Sequence, residues 1–101
     1  MASLAPIAHR PAAVPALSLR FTSDSWVEVI GRDGKVLEQA LLHAGDRRNY
    51  DPGEVTSIVL GNASAVEVRQ QGRKTDMAPF LRANVARFTV SSDGSLAPAV
   101  D

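Results

Sequence analysis

No cysteine occurs among the 101 residues, which removes disulfides, thiolate zinc sites and thiol nucleophiles together. The compartment stays open, because a domain with an adequate core needs no cross-link in any of them. An excess of one charge is also missing: 11 Lys+Arg stand against 11 Asp+Glu, a formal net charge of zero. Without a surplus positive field to hold a phosphate backbone or an anionic bilayer, binding driven by counterion release is not expected, and nucleic acid is demoted as a partner. Aromatic residues make up 5% of the chain and the only histidines are His9 and His43, so an enzyme starts as the minority reading. No apolar run approaches the ~20 residues of a membrane-spanning helix, and this stretch of chain is not expected to insert in a bilayer. A secretory leader would need about 7–15 unbroken apolar residues, and Pro6, His9, Arg10 and Pro11 interrupt every candidate window. What is left still suffices for a self-supporting domain, since chains of about 55–65 residues fold alone.

Residues 1–16, MASLAPIAHRPAAVPA, set Pro6, Pro11 and Pro15 among alanines, a spacing that sustains neither a helical stripe nor strand alternation. This segment is read as a linker with something attached upstream. From Leu17 the period becomes two: Leu17, Leu19 and Phe21 alternate with Ser18, Arg20 and Thr22, the signature of a strand with one buried face. Trp26 to Ile30 and Val36 to Leu42 flank Asp33-Gly34, a hairpin signal. Further strands are expected at Arg47 to Tyr50, Val55 to Leu60, Ala65 to Gln70 and Val85 to Val90, with turn chemistry between them. Val55 to Leu60 is apolar on both faces apart from Thr56 and Ser57, which predicts a central position. Only Asp76 to Ala83 spaces its apolar residues as a helix does, with Pro79 allowed only in a first turn, so at most one short helix is expected. The expectation is an all-β domain over 17–92, a small antiparallel sandwich or barrel of about seven strands with at most one short helix, followed by a flexible tail over 93–101.

Chemistry-bearing motifs are weak. His43 and Asp46 with a serine would make a nucleophile system only if geometry assembled one, and scattered Ser, His and Asp occur in almost every domain. His9 lies in the linker and His43 lacks ligand spacing, so neither a metal nor another cofactor is expected. Gly31-Arg-Asp-Gly34-Lys35-Val36 departs from a phosphate loop in glycine spacing and lacks Ser or Thr after the lysine, and a turn is the reading kept. Asn62-Ala63-Ser64 fits a glycosylation acceptor, but Gly61 beside it already explains a turn. Arg47-Arg48, Arg69, Arg73-Lys74, Arg82 and Arg87 would form a basic strip only if they shared a face, and a solvated surface is the simpler reading.

Trp26 is the most informative single residue. Alternation groups it with Glu28 and Ile30, opposite Val27 and Val29. If the valines face the core, Trp26 is a contact anchor beside Glu28. If Trp26 faces inward it buries an indole of about 150–250 Å², and that weight favours the core reading.

Six stretches then carry a family likeness in order: Asp24-Ser-Trp26-Val-Glu28-Val29, Asp33-Gly34-Lys35-Val-Leu37, Ala44-Gly45-Asp46, Leu60-Gly-Asn62-Ala63, Val66-Glu-Val68 and Asn84-Val-Ala86-Arg87-Phe88. Together they resemble the C-terminal domain of the bacterial cell-shape protein RodZ, from about Leu17 to Val90. Gly53-Glu54 stands where the family usually has prolines, and Arg73-Lys74-Thr75 replaces a shorter transition after Gly72; both are loop departures. The resemblance implies a periplasmic, extracytoplasmic β-domain of a single-span inner-membrane protein whose cytoplasmic part binds the actin-like MreB. Residues 1–16 then correspond to the spacer from the membrane span. It further implies a scaffold for lateral cell-wall synthesis working with MreC, the glycosyltransferase RodA and its transpeptidase, without catalytic residues. The expected function is therefore a non-catalytic interaction module coupling the cytoskeleton to wall elongation. Trp26, Glu28 and Tyr50 are its candidate partner-binding residues, and peptidoglycan recognition by an aromatic β-face is the alternative.

Overall fold

The computed structural model describes residues 16–99, so the linker expected over 1–16 lies, apart from Ala16, outside the described residues. Ten strands follow in order: β1 Leu17–Phe21, β2 Ser25–Gly31, β3 Val36–Leu42, β4 Arg47–Tyr50, β5 Val55–Leu60, β6 Val66–Gln70, β7 Arg73–Lys74, β8 Leu81–Arg82, β9 Val85–Val90 and β10 Leu96–Pro98. They make two antiparallel sheets, a smaller one ordered β4-β1-β6-β7 and a larger one ordered β10-β9-β5-β2-β3 with β8 also on β9. The all-β sandwich expected from the period-two pattern is the fold.

Alternation explains the packing. Leu17, Leu19 and Phe21 from β1, with Val66 and Val68 from β6, face Val27, Val29, Ile58, Leu60, Ala86, Phe88 and Val90 from the larger sheet, all buried. Such facing apolar rows, rather than strand propensity, hold the sheets together. β5 lies between β9 and β2, the central place that its apolar sequence predicts. Phe80 closes one end, its ring 5.6 Å from that of Phe88.

Turns follow local chemistry. Gly34 has φ +85, and the Gly31 N–H donates to the Lys35 carbonyl at 2.7 Å, so the stretch that superficially suggested a phosphate loop is a hairpin turn. Arg32 in that turn reaches away and donates to the carbonyls of Pro52 at 2.7 Å and Val90 at 2.9 Å, clamping three segments.

Four expectations need adjusting. The helical spacing over 76–83 gives a single 3-10 turn, Ala78–Phe80, with Pro79 in its first turn, because Leu81–Arg82 pairs with β9 at once. A second 3-10 turn, Ala63–Ala65, occupies what reads as turn and strand start in the sequence. Leu96–Pro98, placed in the tail on composition, pairs with Val90, Thr89 and Phe88. Short β7, β8 and β10 raise the strand number above seven, each having too few residues to show a period.

Candidate functional site

The outward face of the larger sheet is built by register. Trp26 lies opposite Leu41 on β3, Glu28 opposite Gln39 on one side and Val59 on the other, and Val59 opposite Arg87. Val27 and Val29 are fully buried, whereas Trp26 is 46% exposed, which corrects the inward reading of the indole. Glu28 decides the face: a carboxylate turned into an apolar core without a partner costs more than an indole left partly wet. Leu41 is 49% exposed and completes an apolar step on the sheet surface with Trp26. The Gly61 N–H donates to the Trp26 carbonyl at 2.8 Å, so the position beside Trp26 just after β5 carries no side chain.

Leu41 and Gly61 are the members of this face that sequence reasoning missed. Val36 to Leu42 does not alternate, because Leu37 is an extra residue in the β2–β3 register, between Val36 opposite Ile30 and Glu38 opposite Val29. The adjacent Leu41-Leu42 pair was the available signal, since one of two neighbouring strand residues must point outward. Leu42 is buried and Leu41 is not.

Tyr50 is not brought to this face. It lies on β4 of the other sheet, half-buried against the core, with its hydroxyl donating to Glu38 Oε1 at 3.2 Å. Burial, and then the neighbouring Glu38 carboxylate, hold the Tyr50 phenol well above its ordinary range. Arg48 Nε donates to the same Glu38 oxygen at 2.7 Å. The three side chains thus tie β3 of one sheet to β4 of the other along an open side of the sandwich.

His43 Nδ1 lies 2.9 Å from Asp24 Oδ1, both side chains well exposed, while the His43 backbone N–H donates to Asp46 at 2.8 Å. The pair His43 forms through its ring is therefore with Asp24, not Asp46. Ser25 donates to the Trp26 carbonyl and accepts from the Asn62 N–H, so its hydroxyl is engaged in the turn rather than with the imidazole. Asn62 donates to the Asp24 carbonyl at 2.8 Å and accepts from Asn84, which gives its amide a structural task. Among the described residues no group of three or more His, Cys, Asp and Glu gathers as a metal site, and no helix is long and apolar enough to cross a membrane.

The basic residues, unassigned to faces by sequence, separate. Arg20, Arg47, Arg69 and Lys74 share the outward face of the smaller sheet with Glu67, whereas Arg87 is on the outward face of the larger one. Arg48 turns inward to Glu38.

No solved structure matches the chain. The family model described as the RodZ C-terminal domain matches residues 18–89, which runs from the first strand to the end of β9. With the match covering nearly all of both sheets, the chain belongs to the RodZ C-terminal domain family.

Proposed function

We propose that this domain is a non-catalytic interaction module of a cell-shape protein, placed outside the cytoplasm, and that the Trp26 face receives its partner. The observation that carries the reading is the outward indole, 46% exposed beside a Leu41 that is 49% exposed, on a regular sheet face rather than in a cleft. Aromatic anchors of this kind dominate the energetics of protein interfaces. In this reading the full protein joins MreB, through a cytoplasmic part, to the wall-elongation proteins MreC, RodA and its transpeptidase, and membership of the RodZ C-terminal domain family supports it.

The test is a paired measurement on Trp26→Ala. Fold stability is expected to change by less than about 1 kcal/mol, because the side chain is half in water. Binding to the elongation proteins is expected to weaken by about 2 kcal/mol or more. A folded variant that recruits them as the native chain does removes Trp26 from the site.

Peptidoglycan recognition is a second reading on the same face. Gly61 leaves room beside the indole, and Glu28 and Gln39 supply polar groups next to it. Purified sacculi that retain the native chain but not Trp26→Ala would favour it over a protein partner.

A further inference from the structure

The outward face of the smaller sheet keeps two cross-strand pairs of like charge. Arg20 on β1 stands directly opposite Arg47 on β4, and Arg69 on β6 directly opposite Lys74 on β7. Like charges directly opposite on one sheet face destabilise it. Glu67, opposite Arg20, is the only acidic side chain these strands place on that face. Its carboxyl is held below the ordinary range by the hydrogen bond from Arg69 and by the charges of Arg69, Lys74 and Arg20. One carboxylate therefore serves three cations, and Arg47 has no carboxylate within ion-pair distance among the described residues. Ser18 and Asn49 fill the rest of the face, so it offers no exposed apolar or aromatic side chain.

We propose that this face docks on the surface of an acidic lipid bilayer. Four cations against one acid, spread over one outward sheet face, match a plane of negative charge. A face without aromatics lacks the stacking platforms that bind single-stranded nucleic acid. A protein hot spot would need the apolar anchors this face lacks. The chain enters this sheet from its N-terminal segment: Ala16 precedes β1, and its carbonyl accepts from the Gln71 N–H at the β6–β7 turn. The bilayer as occupant rests on the membrane-anchored reading given above, which would hold this sheet near the lipid. The two outward faces of a sandwich point apart, so docking here turns Trp26 away from the lipid and toward a partner.

The test is co-sedimentation of the 101-residue chain with vesicles of phosphatidylcholine, pure or with about a third phosphatidylglycerol. Binding to the acidic vesicles is expected to exceed that to neutral ones by about tenfold or more at low salt. It should fall as ionic strength rises from about 0.01 M to about 0.15 M, where the Debye length drops from about 30 to about 8 Å. Arg47→Gln removes one partner of a repelling pair, so its melting temperature is expected to equal or exceed the native one while acidic-vesicle binding falls several-fold. Arg20→Gln with Arg47→Gln should bring binding near the neutral-vesicle level, and Trp26→Ala should leave it unchanged. Equal binding to both vesicles, or native binding by the folded double variant, overturns the proposal. Capture by soluble polyphosphate or an acidic protein without vesicle binding also overturns it. None of these outcomes depends on whether the Trp26 face recruits a wall protein, so the two proposals fail separately.

Discussion

A Cβ built at Gly61 would stand 3.1 Å from the Trp26 Cβ, closer than side chains normally approach, so the smallest residue sits where the largest needs room. The orientation of Trp26 was the point on which alternation alone could not decide, since both faces of Trp26 to Ile30 hold large apolar groups. The carboxylate of Glu28 breaks the tie, and neighbouring strands then fix Val27 and Val29 against the core. His43 is a second case in which the partner lies far away in sequence. Its ring bonds to Asp24, nineteen positions earlier, because the start of β2 and the end of β3 are register neighbours. The hydrogen bond to Asp24, then its charge, raise the His43 pKa above the ordinary value. A raised folded-state pKa means that the pair's contribution is fully present below the unfolded value of about 6.5 and is lost as pH rises through the folded one. An NMR titration of the His43 ring is expected to show a midpoint above that of an unstructured peptide. Asp24→Asn should return it toward the peptide value, and an unshifted native midpoint would rule the pair out in solution.

At the scale of elements, β3 is the exposed liability of the fold. It has a partner on one edge only among the described strands, and Val36, Leu37 and Leu41 on it are 50%, 47% and 49% exposed. Proteins blunt such edges by pointing a charge inward, and Glu38 does so, held by Arg48 and Tyr50 of β4. Glu38→Val removes that charge and leaves Gln39 as the only polar side chain of β3. The variant is expected to lose about 1 kcal/mol of stability, as for a partly exposed ion pair and one hydrogen bond. It should also self-associate at concentrations where the native chain does not; sedimentation and a thermal melt check both, and a monomeric Glu38→Val protein would show that the guard lies elsewhere. This device was not legible in the sequence, since Glu38, Arg48 and Tyr50 belong to three separate stretches of pattern. The strands themselves were legible wherever five or more residues carried an alternating or wholly apolar pattern, as in β1, β5 and β9. They were not at β7, β8 and β10, where two or three residues take strand geometry only because a longer neighbour supplies the ladder.

For the whole molecule, a net charge of zero concealed how the charge is distributed. Summed over the chain it argued against any electrostatic role, yet Arg20, Arg47, Arg69 and Lys74 are collected on one outward face by strand pairing that no local pattern announces. The same long-range pairing makes the C-terminal stretch part of the sandwich. Composition ends the domain near residue 92, but β10 pairs with β9, Leu96 packs against the core, and the Gly94 carbonyl accepts from the Gln70 side chain of the other sheet. Removing residues 93–101 would therefore strip one edge of the larger sheet and cut a link between the two sheets. The loss of a half-buried leucine and a few ladder hydrogen bonds comes to about 2 kcal/mol. In a domain of this size 1 kcal/mol shifts Tm by about 4–8 °C, so the truncated chain is expected to melt roughly 10 °C below the full one. Freed from β10, the backbone amides that face it should also exchange faster, at Thr89 opposite Ala97 and at Ser91, whose N–H donates to the Ser95 carbonyl. A truncated chain with native Tm and native protection at those two residues would place the domain boundary where composition alone puts it.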